Sequence, residues 1–123
     1  MSIFTVKLRT TDRLWTQYMR TKQDYTCQFC GRPYPVDNCR NLGVMHFHGR
    51  GHENVRFDEE NTLCGCSIPC HRYLDTHKTE FQEFMRKRLG QKAYDLLELR
   101  SHIYKKRDDR ADAIIIKHLL KEV

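Results

Sequence analysis

Leu63-Cys64-Gly65-Cys66-Ser67-Ile68-Pro69-Cys70-His71 gathers three cysteines and a histidine, and Cys27-Gln28-Phe29-Cys30-Gly31 sets two more cysteines upstream of it. A Cys-x-x-Cys turn lets two thiolates converge on one tetrahedral ion, and Gly31 supplies loose backbone just behind it. The second half of such a site needs Cys70, which leads straight into a helical pattern, together with Cys66 or Cys64. Cys66 is preferred, because the shorter span keeps both sulfurs on one turn. Cys64 then reads as the alternative ligand or as a buried thiol, and Cys39, with no partner at ligand spacing, as a spare. Four protein ligands leave no open position, so the pattern predicts a structural zinc. A small domain with a thin core draws folding energy from such an ion.

The remaining composition agrees with a small folded chain. At 123 residues, with 39% apolar residues, 31% charged and three prolines, one domain over 1–123 is expected. No apolar run reaches membrane-spanning length, and Met1-Ser2-Ile3-Phe4-Thr5-Val6-Lys7 lacks the apolar core of a secretory signal. The expectation is therefore a cytoplasmic protein with no membrane partner. In it, cysteines interleaved with histidines are metal ligands and not a disulfide framework. The formal charge of +6 favours a polyanionic partner without specifying one.

Outside the cysteines the periodicity is mostly helical. Residues 11–22 form an amphipathic helix with Thr11 or Asp12 as N-cap and a stripe of Leu14, Trp15, Tyr18 and Met19. Residues 25–70 read as loops and a small hairpin, with apolar patches at 42–45 and 55–57. From 71 to 88 a helix carries Leu74, Phe81, Phe84, Met85 and Leu89, with Gly90 behind it as a stop. Two further helices are expected over 91–106, with Tyr94, Leu97 and Ile103 inward, and over 111–121, with Ile114, Ile115, Leu119 and Leu120 inward. The fold class is α+β.

Between the cysteine pairs lies Val44-Met45-His46-Phe47-His48-Gly49-Arg50-Gly51-His52, followed by Asn61 and His71. Phosphodiester hydrolysis needs a water made nucleophilic near neutral pH and a cation against the developing charge. Neutral imidazole suits both the base and the ligand roles. Asn61 can lock the intervening loop and hold the base ring through its side-chain amide.

In these stretches the chain resembles the HNH (ββα-metal) endonucleases, and within them phage HNH proteins and lambda NinG (Rap)-type recombination endonucleases. The likeness is carried by Cys27-Gln-Phe-Cys30-Gly31, His46-Phe47-His48-Gly49-Arg50, Arg56-Phe57-Asp58-Glu59-Glu60-Asn61 and Cys66-Ser-Ile-Pro-Cys70-His71, with Leu14–Arg20 resembling the helix that precedes the first cysteine pair. It implies a treble-clef-like ββα core over about 25–90, flanked by the N-terminal helix and a C-terminal helical extension over about 91–123. It implies a metal-dependent enzyme that nicks or cleaves DNA, including branched or recombination-intermediate DNA, in a phage or prophage context. His46 falls at the general base, Asn61 at the loop-fixing asparagine, and His71 at a ligand of a divalent catalytic ion (Mg2+, Mn2+, Ni2+ or Zn2+). The family often places a second ligand directly before the base, where this chain has Met45. His48, on the same face as His46 if the strand continues, and Asp75, one helical turn beyond His71, are the two replacements. His48 could also exchange roles with His46. Arg50 and Arg56 are candidate DNA contacts, and Asp58-Glu59-Glu60 reads as a solvent-facing turn. One active site cuts one strand, so a double-strand break would require a homodimer or two visits. The alternative is a zinc-stabilised nucleic-acid-binding module without enzymatic activity.

Overall fold

Alternation along two five-residue strands sets the layout. In the computed structural model, which describes residues 8–123, β1 (Leu42–His46) pairs antiparallel with β2 (Thr62–Cys66). Leu42 lies opposite Cys66, Val44 opposite Cys64 and His46 opposite Thr62. Side chains alternate between the faces of such a ribbon, so Leu42, Val44, Cys64 and Cys66 share one face, and Met45 and Leu63 the other. Each face has its own core. The first adds Trp15, Tyr18, Met19, Cys27, Cys70 and Ile116; the second adds Val55, Leu74, Phe81, Met85, Tyr94 and Leu97. Met45 lies so close over Gly65 that a Cβ there would come within 2.4 Å of its Cε.

Helix α1 (Thr10–Lys22) covers the first face, burying Trp15, Tyr18 and Met19 at the three-and-four spacing of one helix side. Its N-cap is Arg9, two or three residues earlier than the Thr11 or Asp12 cap expected from sequence, with Asp12 Oδ2 accepting the Arg9 backbone N–H at 2.6 Å. The Trp15 indole donates to Thr62 Oγ1 at 3.1 Å, and Arg20 Nε donates to the Leu42 carbonyl at 2.8 Å, tying the helix to both strands.

From β2 the chain turns through Ser67–His71 into α2 (Arg72–Thr76) and α3 (Lys78–Leu89). The single helix expected over 71–88 is broken at His77, whose φ of −124° and ψ of 69° leave the helical region. Gly90, at φ +84°, ends α3 in a conformation that favours glycine, and α4 (Gln91–Ser101) follows. Helix α5 (Asp109–Glu122) packs on α1 and is capped by Asp108, whose carboxylate accepts the N–H groups of Arg110 and Ala111.

Three expected core positions fail. Ile103 lies past the end of α4 and is 57% exposed, while Ile114 and Ile115 are 60% and 56% exposed because Ile116 is the residue α5 turns inward. Of the two apolar patches, 42–45 falls in β1, while 55–57 lies outside both strands; Val55 closes a short turn and fills the second core. The acidic turn is no idle surface. Arg100 donates to Asp58 and Glu60, each at 2.9 Å, and Lys22 pairs with Glu59 at 2.7 Å, so the turn fastens α4 and α1 to the loop. The fold is α+β, with a two-stranded antiparallel sheet and five helices among the described residues. None of those helices is long and apolar enough to cross a membrane. The expectation about Met1–Lys7 falls outside the described residues.

Candidate functional site

The four sulfurs of Cys27, Cys30, Cys66 and Cys70 lie within 4.8 Å of one another. Two come from the loop after α1, one from the end of β2 and one from the turn into α2. A tetrahedral ion with metal–sulfur bonds of about 2.3 Å would span such a cluster, and Cys30 and Cys66 already stand 3.7 Å apart. Cys27 is eased toward the thiolate, whereas burial raises the thiols of Cys66 and Cys70. Burial penalises a charged Cys27, yet the amide N–H groups of Cys30, Cys66 and Phe29 outweigh it and bring its pKa down to about 7. The Tyr34 hydroxyl donates to Cys66 Sγ at 3.0 Å. Cys64 stands outside the cluster, with burial pushing its thiol up to about 12, and so does Cys39, whose thiol donates to the Val36 carbonyl at 3.5 Å. The choice of Cys66 over Cys64 agrees with this arrangement.

At the other end of the hairpin a cleft of about 460 Å³ opens between the end of β1 and α2, lined by His46, Phe47, Gly49, Arg50, His71, Asp75 and Lys78. His71 and Asp75 stand one helical turn apart and share a face, and Lys78, beyond the break at His77, brings its Nζ to 3.9 Å from Asp75 Oδ1; His71 Nε2 and Asp75 Oδ2 are 3.1 Å apart. Those two N and O donors suit a divalent cation. His46 is the last residue of β1, and its Nε2 donates to the Arg56 carbonyl at 3.0 Å. A carbonyl only accepts, so the proton sits on Nε2 and Nδ1 keeps its lone pair. Burial, followed by the nearby positive charge of Arg50, lowers the His46 pKa to about 4, so the ring is neutral at physiological pH.

Several expected roles change. The chain bends after His46, so His48 does not continue on its face. Its Nε2 donates to Glu98 Oε1 at 2.7 Å, in a neighbouring hollow lined also by His52, Gln82 and Lys78. His48 is therefore neither beside His71 nor placed to exchange roles with His46; of the two replacement ligands, only Asp75 joins His71. Asn61 is buried and fixes the loop through its backbone. Its Oδ1 accepts the His48 N–H at 2.8 Å and its Nδ2 donates to the carbonyls of His48 and Val55. The His46 ring is held by the Arg56 carbonyl and not by that amide. Arg56 does not face a DNA strand: its side chain is 0% exposed and donates to both Asp12 oxygens, Nε to Oδ1 at 3.0 Å and Nη2 to Oδ2 at 2.6 Å. Arg50 does border the cleft, with its Nε 3.5 Å from Asp12 Oδ1.

Asp12, Lys78 and Glu98 complete these surroundings; the sequence reading passed over Lys78 and Glu98 and gave Asp12 only the role of a helix cap. A signal existed for the first two, since Asp12 shares a helix side with Trp15 and Met19, and Lys78 follows His71 and Asp75 at helical spacing. Glu98 carried none, as its meeting with His48 depends on how α4 is docked. A larger hollow of about 550 Å³, between residues 8–11 and the start of α5, contains no histidine or thiol. No protein-family model matches the chain, and no curated protein or solved structure does either.

Proposed function

We propose that this protein is a metal-dependent HNH-type endonuclease that hydrolyses DNA phosphodiester bonds, with zinc held by Cys27, Cys30, Cys66 and Cys70. The observation that carries the proposal is that His46 and the His71–Asp75 pair line one cleft with Arg50 and Lys78 on its rim. A strand-end histidine facing a histidine at the start of a helix, across a hairpin pinned by Asn61, is also the order in which the resemblance lays out its ββα core.

The chain's own groups account for most of the chemistry. With its proton fixed on Nε2, His46 takes a proton from water at Nδ1. A pKa near 4 keeps that nitrogen free across the neutral range, while making it a weak base that needs an activated water. Arg50 and Lys78 attract the phosphate and orient it against the base. His71 and Asp75 would hold the divalent ion, which supplies positive charge for the phosphate and the leaving oxygen.

The test is incubation of supercoiled plasmid with purified protein and Mg2+, Mn2+ or Ni2+, with EDTA as control. Nicking or linearisation is expected, abolished by His46→Ala and weakened by His71→Ala. Equal cutting by wild type and His46→Ala rejects the mechanism. DNA retarded on a gel but left intact with every ion identifies a zinc-stabilised binding module instead. Matched linear, nicked, flap and four-way-junction substrates then decide whether branched DNA is preferred.

A further inference from the structure

We propose that Asp12, on the N-terminal helix, is a positioning residue for the cleft: through Arg56 it fixes the loop carbonyl that sets the tautomer and direction of the His46 ring. Its catalytic consequence rests on the nuclease reading above; its structural content does not.

The chain of contacts is continuous. Asp12 is buried one turn into α1, with Oδ2 accepting the Arg9 backbone N–H and Arg56 Nη2, and Oδ1 accepting Arg56 Nε. A two-point fork between a planar guanidinium and a carboxylate fixes orientation as well as distance. The far side of the same guanidinium donates from Nη1 to the Arg50 carbonyl at 3.2 Å and lies 3.5 Å from Glu53 Oε1. Arg56 is thereby clamped between the helix and its own loop, and its backbone carbonyl takes the His46 proton at 3.0 Å.

Energetics point the same way. Two charges removed from water gain little net stability from pairing, and apolar residues of similar size stabilise such a space at least as well. What the pair provides is direction. The arrangement it directs is next to His46, whose ring nitrogen is committed to a backbone carbonyl. Asp12 also stands 3.5 Å from Arg50 Nε, so one carboxylate braces both the base and a rim cation.

The experiment is 15N NMR of the zinc-loaded full chain, reading the imidazole nitrogens of His46, in parallel with single-turnover cleavage. Wild type should show a protonated Nε2, slow to exchange, and a bare Nδ1. Asp12→Asn should mix the two tautomers and lower the cleavage rate by about tenfold or more, with zinc content unchanged. Asp12→Glu, which retains the charge, should recover part of both. If Asp12→Asn fails to fold, Arg56→Lys, which keeps the charge but not the fork, carries the same expectation. A His46 protonated at Nδ1 in wild type overturns the proposal, and so does an unchanged tautomer and rate in a folded Asp12→Asn or Arg56→Lys. Failure of wild type to cut any DNA overturns the nuclease reading alone, because the tautomer measurement does not require activity.

Discussion

The two ends of the hairpin invite comparison. At one end four thiols from three segments converge until their sulfurs lie within 4.8 Å, with Cys27, Cys66 and Cys70 buried in the first core and Cys30 exposed. At the other, a histidine and a carboxylate stand 3.1 Å apart on an open cleft, and the third actor, His46, is held back on a carbonyl. The first end offers four ligand atoms that could surround an ion, and the second, on the proposed reading, only two. A complete shell serves folding, while a partial one leaves room for water and phosphate. The contrast assigns different consequences to damage at each end.

The largest effect should come from the sulfur end. Cys27→Ser or Cys70→Ser should remove metal binding worth on the order of 10 kcal/mol and leave a chain without cooperative unfolding by circular dichroism. Cys64→Ala and Cys39→Ser should retain about one zinc per chain by elemental analysis. Equal zinc loss from Cys64→Ala and Cys70→Ser would erase the distinction between ligand and bystander.

Next comes His46, the base of the proposed reaction. His46→Ala should slow cleavage by roughly 10²–10⁴-fold while zinc content stays as in wild type. If it unfolds the protein as Cys27→Ser does, the two ends are not separable.

A pH experiment sharpens the same point. The folded His46 pKa of about 4 lies below its ordinary 6.5. The unfolded chain therefore binds more protons between these values, and stability falls as pH drops through them. The contribution is about 3 kcal/mol, full above pH 6.5 and lost near pH 4. Comparing wild type with His46→Gln by urea unfolding at pH 5 and pH 7 isolates it from proton loss at the cysteines; identical differences at both pH values would show the ring is not buried neutral.

The smallest effect belongs to the acidic turn. Arg100→Ala should lower stability by about 1 kcal/mol, since its partners are partly exposed, and cleavage should be unaffected. A large loss of activity would mean that α4 docking controls the cleft.

Much of this was legible in the sequence, and unevenly so. Spacing alone picked out the four clustered cysteines, because a zinc turn constrains neighbours in the chain. Helical repetition gave α1, and most of α3 and the inner side of α4, for the same local reason. What escaped depended on contacts across the chain. Arg56 reads as a free cation until α1 brings Asp12 onto it, 44 residues away in sequence. His48 reads as a strand neighbour of His46 until the chain bends and α4 supplies Glu98. On α5, three consecutive isoleucines offer no pattern that says which one turns inward, and the answer, Ile116, is set by the angle at which the helix meets α1.

Gly65 has a consequence of its own. It sits between Cys64 and Cys66, and the Met45 side chain occupies the volume where any larger residue would need to go. A methyl group added there would press on Met45 from one side and shift β2 on the other, one residue before a clustered sulfur. Damage to the apolar packing beneath the helices would then register as a change in metal affinity, so a chelator titration of Gly65→Ala would report on a distortion that begins against Met45, in the core on the face opposite the sulfurs.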